Sequence, residues 1–231
     1  DWKEFYIKDL STGEDRKDHL QWIKFSGMAW AGDGFYYSRY PEPEEGGELD
    51  ASNENAQVYY HQLGIEQEED ELIFSDPENP KISNYVGTSE DERFVYLYRT
   101  KGTSGTALYI TEVKRGDHQF TTVMENYDYD HGIVGNIENT IFLRTNYKAP
   151  NWRLVKFNHD NPGPENWIEV IPESEYPLNS VSITGGKLLV KYSKDVSSRL
   201  YVYSLDGKSE SEVELPTVGT ASGFGGKQND N

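Results

Sequence analysis

The sequence predicts an all-β fold of the β-propeller class, and three observations predict it. Aromatic residues make up 13% of the chain and fall in short runs, which suits strands better than helices. The segments "EFYIKDLSTG", "VYYHQLG", "ALYITEV", "WRLVKFN" and "RLYVYSLDG" stack on the apolar positions Leu10, Leu63, Val113, Phe157 and Leu205, at intervals of 53, 50, 44 and 48 residues. A second series, "FYYSRY" from Phe35, "FVYLYR" from Phe94, "IFLRTN" from Ile141 and "LLVKYS" from Leu188, runs upstream of these anchors.

Each member of the second series follows a turn signal: Gly32-Asp33-Gly34, Glu90-Asp91-Glu92, Glu138-Asn139 and Gly185-Gly186. Such signals suit tight reversals between strands. Every unit therefore reads as strand, turn, strand, loop, strand, turn, strand. The second-series strands are nearly continuously apolar, so both of their faces are covered. Four-stranded sheets stacked radially cover both faces of each inner sheet, and a recurrence of about 40–50 residues is the signature of that architecture. A β-sandwich would not restart the same pattern in every unit.

The anchors give a half blade over 1–25, blades over about 26–75, 76–124, 125–172 and 173–216, and the start of a further blade over 217–231. That makes about four to five blades. The acidic, Gly-Gly-centred stretch Pro41–Asn55, "PEPEEGGELDASNEN", is too polar to order itself and reads as a mobile surface loop. The segment "NHDNPGPEN", from Asn158 to Asn166, is a shorter connection of the same kind.

Composition narrows the function. Forty acidic against twenty-two basic residues give a formal charge of −18, which argues against a nucleic-acid partner, whose binding begins with a basic face. The same charge would steer cationic peptides towards the chain. No apolar run reaches the roughly 18–20 residues of a membrane helix, and no basic-then-apolar signal opens the chain. Asp1 is an improbable natural start, so either a signal has been removed or the chain is a piece of a longer protein. Cysteine is absent, which excludes disulfides and thiolate metal sites.

Catalytic motifs are missing as well. No GxSxG elbow occurs, since "GTSGT" at Gly102–Thr106 and "TASGFGG" at Thr220–Gly226 both miss the spacing. His19, His61, His118, His131 and His159 are scattered and read as surface or structural residues, not as metal ligands or bases. The cluster "YDYDHG", Tyr127–Gly132, groups two carboxylates and an imidazole but lacks the rest of a Ca²⁺ loop, and reads as a polar connection between blades. No metal and no cofactor is expected.

The stretch "WIKFSGMAWAGDGFYYSRYPEP", with "VYYHQLGIEQEEDELIF" and "FLRTNYKAPNWRLVKFN", resembles the β-propeller domain of the prolyl oligopeptidase (prolyl endopeptidase) family of serine peptidases. The resemblance runs over essentially the whole chain. It implies part of a seven-bladed propeller that caps an α/β-hydrolase domain, covers its catalytic cavity and excludes large folded proteins, in an enzyme that cleaves short peptides after proline. That catalytic domain is absent from this chain, which would be inert as a peptidase. By the same resemblance Phe25, in "KFSG", lines the substrate cavity, Asp1 lies near it, and the hairpin Trp30–Tyr40 forms blade core.

In the loop "RTKGTSGTALY" the animal enzymes carry an arginine and a cysteine where this chain has Thr100 and Thr103, with Arg99 one position early. This departure points to a bacterial-type member, periplasmic or cytoplasmic. The alternative reading is a stand-alone propeller acting as a protein-interaction or lectin-like binding module. Expressed alone, a partial propeller would expose blade faces and self-associate.

Overall fold

The structure is a computed structural model that describes residues 1–47, 52–113 and 118–230. β1 (Lys3–Lys8) and β2 (Asp15–Ile23) form a two-stranded antiparallel sheet. Four-stranded sheets follow, each with its strands in chain order. The first contains β3 (Ala29–Ala31), β4 (Gly34–Arg39), β5 (Gln57–Gln62) and β6 (Glu71–Phe74), and the second β7 (Ser83–Thr88), β8 (Phe94–Thr100), β9 (Thr106–Glu112) and β10 (Thr121–Met124). The third contains β11 (His131–Ile137), β12 (Thr140–Thr145), β13 (Arg153–Asn158) and β14 (Ile168–Ile171), and the fourth β15 (Leu178–Thr184), β16 (Lys187–Lys194), β17 (Ser197–Tyr203) and β18 (Ser209–Val213). Helix is confined to single 3-10 turns at Gln67–Glu69 and Pro164–Asn166 among the described residues.

The chain divides into two compact units, Asp1–Thr121 and Thr122–Asn231. In the first, Phe35 and Tyr37 of β4 pack with Ile7, Leu20 and Ile23 of the two-stranded sheet. Tyr36, on the opposite face of β4, packs with Val58, Ile73 and with Val95 and Leu97 of β8. Successive side chains of a strand point to opposite faces, so β4 is buried almost throughout because a sheet lies against each face. This is blade stacking read from one strand.

The second unit repeats the principle. Phe142 and Leu154 of the third sheet pack with Leu178, Ile183, Leu188, Val190 and Tyr192 of the fourth. β16 is the exception to continuous burial, for its residues alternate between buried and half-buried. Val190 and Tyr192 face the core, whereas Lys191, on the other face, reaches the Ala221 carbonyl at 3.4 Å. Residues 217–230 form no strand; the Ser198 amide donates to the Gly219 carbonyl, and those of Gly185 and Gly186 donate to the carbonyls of Lys227 and Gln228.

Two hairpins depart from the regular pattern. Trp30 is 44% exposed, unlike Phe35, Tyr36, Tyr37 and Tyr40 of the same aromatic hairpin. β3 has only three residues, and the middle one points away from the core that holds Ala29 and Ala31. The two-residue turn between β16 and β17, Asp195-Val196, has φ of 49° and 61°, the left-handed pair that hairpin twist favours and that Asn-Gly or Asp-Gly normally supplies. Of the acidic insertion Pro41–Asn55, residues 48–51 lie outside the described residues, and the rest carries no regular structure.

Candidate functional site

Phe25 sits on the crossover between β2 and β3, 61% exposed and with φ of 53°. An aromatic side chain in left-handed backbone is uncommon, because Cβ crowds the following carbonyl. The surroundings hold it there. On one side the Tyr40 amide donates to the Trp22 carbonyl at 3.0 Å; on the other the Ser38 amide donates to Ser26 Oγ at 2.8 Å, and Ser26 Oγ donates to the Gly27 carbonyl at 2.8 Å. The crossover is thus pinned to the end of β4 on both flanks of Phe25; between the pins Ile23 is buried and Phe25 projects into solvent.

The pins rest on an aromatic cluster. Trp2 meets Trp22 edge-on at 5.6 Å and Tyr40 at 6.2 Å, and Lys24 Nζ lies 3.9 Å over the Trp2 ring while donating to Asn53 Oδ1 at 2.8 Å. Trp22 also has a left-handed φ, 59°. Burial pushes the Tyr40 hydroxyl above its ordinary pKa, so it stays neutral. Asp1 is exposed at the start of the chain, two residues before Lys3. Lys3 pairs with Ile23 across the β1–β2 ladder, so Asp1 and Phe25 both lie two residues beyond the same rung. The family resemblance pointed to Phe25 and Asp1 but not to Trp2, Lys24 or Tyr40; the aromatic density of the 22–43 stretch was a signal for Tyr40.

Below the crossover lies a hydrogen-bonded ring of buried polar groups. His61 Nδ1 contacts Asp70 Oδ1 at 2.6 Å and His61 Nε2 contacts Asp18 Oδ1 at 3.1 Å, with the three side chains 0–1% exposed. Tyr37 donates to Asp70 Oδ2 at 2.7 Å, Gln67 Nε2 donates to the Tyr37 oxygen at 3.0 Å, and Gln67 exchanges bonds with the Gln21 backbone at 2.9 and 3.1 Å. Asp18 and Gln21 are on β2, so the ring leaves that strand and returns to it.

Arg99 and His131 are structurally committed. Arg99 binds Asp76, donates to Asn84 Oδ1 at 3.1 Å and covers the Phe74 ring, so it is not directed outward. Thr103 is exposed in the loop after β8. In the "YDYDHG" cluster, His131 is buried, its Nδ1 is 2.8 Å from Thr145 Oγ1, and burial pushes it down to about 4, so it is neutral. Among the described residues no cluster of three or more His, Asp or Glu could hold a metal ion. A cavity of about 380 Å³ by the turn at which β3 ends is lined by Asp33, Tyr36, Tyr60, Glu69, Glu71 and His118.

Blades of four antiparallel strands in chain order, packed face to face, define a β-propeller segment, and the crossover at Phe25 presents an exposed aromatic from it. The model of the prolyl oligopeptidase N-terminal β-propeller domain matches residues 1–231, and the chain belongs to that family. It is 37% identical over 231 residues to a prolyl endopeptidase of Elizabethkingia miricola, covering 99% of this chain and 32% of that one. It is 32% identical over 242 residues to a dual function macrocyclase-peptidase of Galerina marginata, covering 96% and 33%.

Among solved structures, one from a study of two prolyl endopeptidases and their inter-domain dynamics matches all of this chain and 33% of its own, at 31% identity and a TM-score of 0.90. Prolyl oligopeptidase B of Galerina marginata, bound to a 35mer hydrolysis and macrocyclization substrate, matches with a TM-score of 0.89 at 26% identity, over all of this chain and 34% of its own. The chain therefore spans about a third of the length of these relatives, and the span lies in the propeller domain.

Proposed function

We propose that this chain is the substrate-gating propeller of a prolyl oligopeptidase, a serine endopeptidase that cleaves short proline-containing peptides. The catalytic serine, aspartate and histidine would lie on an α/β-hydrolase domain in the same polypeptide, outside this span. The propeller contributes no reacting group. Its work is to enclose the site, which excludes folded proteins and removes water from the reacting groups.

The observation that carries this reading is Phe25: a 61% exposed aromatic held in left-handed backbone between two pinned flanks, in a chain matched end to end by the propeller family. Strain retained by surrounding bonds points to a function for the group it presents. Phe25 would pack on the substrate near the scissile proline, with Asp1 close enough to bias charge there. The half blade 1–25 and the segment 217–231 would be completed by strands beyond the span.

The test is a size comparison in the full-length protein. A proline-containing octapeptide is cut after proline, while the same eight residues displayed in a loop of a folded protein are spared. Equal cleavage of both would contradict gating, and no cleavage of either would contradict the peptidase assignment.

A further inference from the structure

The Asp18–His61–Asp70 cluster has a property that a structural core does not need. Both imidazole nitrogens of His61 face carboxylate oxygens, and an ionised carboxylate only accepts hydrogen bonds. With both carboxylates ionised, both nitrogens carry hydrogen and His61 is an imidazolium. The neighbouring carboxylates favour that charge. From β2, Asp18 accepts from His61 and from the Gly64 amide, and Arg16 Nε stands 3.6 Å from its other oxygen. From the segment before β6 comes Asp70, and from β4 the Tyr37 hydroxyl, kept neutral above its ordinary pKa by burial and by Asp70. The Phe35 ring closes the remaining side, 5.4 Å from the imidazole. Two carboxylates thus meet one imidazolium and one guanidinium, and the charges balance.

Burial opposes the charge on His61, yet the hydrogen bonds and charges of Asp70 and Asp18 hold its pKa above the usual histidine range. Burial would likewise raise Asp18, but the Gly64 amide and His61 hold it below the usual carboxylate range. Release of the His61 proton to solvent leaves one of the two nitrogens without a hydrogen to donate. A buried carboxylate then loses one of its donors, and a net negative charge remains there. Leaving a buried charge uncompensated is strongly destabilising. The affected contact joins β2 to the first four-stranded sheet, and β2 ends at Ile23, where the Phe25 crossover begins.

We propose that His61 is a positioning residue for Phe25: its proton fastens the β1–β2 hairpin to the first four-stranded sheet, and loss of that proton loosens the hairpin and the crossover. The sign follows from linkage. A histidine whose folded pKa is raised adds stability that is complete below about pH 6.5 and is lost as pH rises through the folded value. The device therefore holds Phe25 in place below the raised folded pKa of His61 and relaxes it above that value. The consequence for substrate rests on the proposed gating function; the clasp itself does not.

The experiment uses the full-length protein with selectively ¹⁵N-labelled histidine. His61 is expected to titrate above the roughly 6.5 of an unconstrained histidine, and hydrogen-exchange protection of the β2 amides, corrected for intrinsic rate, to fall at least tenfold between pH 6 and pH 9, while β12 and β13 keep theirs. In His61→Gln that pH dependence of β2 disappears. KM for a short proline-containing peptide should rise several-fold over the same interval in the wild type, beyond any rise in His61→Gln. Titration at or below pH 6.5, or flat β2 protection in the wild type, overturns the clasp whether or not the variant folds. A pH-dependent hairpin with an unmoved KM upholds the clasp and overturns the role given to Phe25.

Discussion

The Tyr40 amide donates to the Trp22 carbonyl at 3.0 Å, which closes the chain segment carrying Phe25 into a loop anchored at the end of β4. The bond joins residues 18 apart and makes an exposed phenylalanine a fixed feature of the surface. Trp2 and Lys24 brace the same point. A rigid element presents a contact group with less loss of entropy on binding than a free loop does.

The turn Asp195-Val196 stores strain that one substitution relieves. Val196 is β-branched, 89% exposed and left-handed, so it gains nothing from packing to offset its backbone cost. Val196→Gly should stabilise the full-length protein by about 1 kcal/mol in urea denaturation. A loss of stability would show that the side chain is covered by some other part of the protein.

Arg99 answers to Asp76 and Asn84, not to a ligand. Its side chain is 12% exposed and that of Asp76 17%, so breaking the pair leaves a poorly solvated charge. Arg99→Ala should cost about 2 kcal/mol of stability, a value between surface and fully buried pairs. KM for short peptides should stay within twofold. A large rise in KM with normal stability would instead assign this position a part in holding the substrate.

Acid should weaken the second unit through His131. Its folded pKa lies near 4, below the 6.5 of an unconstrained histidine, and Nε2 is buried without a hydrogen-bond partner among the described residues. A depressed histidine contributes stability above pH 6.5 that is lost as pH falls towards 4, here roughly 3 kcal/mol in all. Hydrogen exchange in β11–β13 should therefore quicken on acidification, opposite in sense to the alkaline loosening of β2. His131→Gln should flatten the acid response, and an unchanged response in that variant would exclude His131 as its source.

Much of this architecture was legible in the sequence, for a reason visible in β4 and β8. Strands covered on both faces read as unbroken apolar runs, and turn residues punctuate them at a steady period. Trp30 was less legible, because a three-residue strand exposes its middle side chain however apolar it is. The His61 ring was invisible, since its carboxylates come from 43 residues upstream and 9 downstream. Only the packing of β2 on the first sheet brings them together, and the sequence carries no spacing rule for that. Phe25 stood out through the family resemblance; its strained backbone and its pins emerged only in three dimensions.

The role of Phe25 is tested most directly by steady-state kinetics of Phe25→Ala in the full-length protein with a short proline-containing peptide. The side chain is exposed and packs on no core, so folding should be unaffected, and kcat/KM should fall about tenfold, chiefly through KM, as expected for roughly 1.4 kcal/mol of lost contact. An unchanged kcat/KM in a normally folded variant would contradict the claim that this propeller meets its substrate through Phe25.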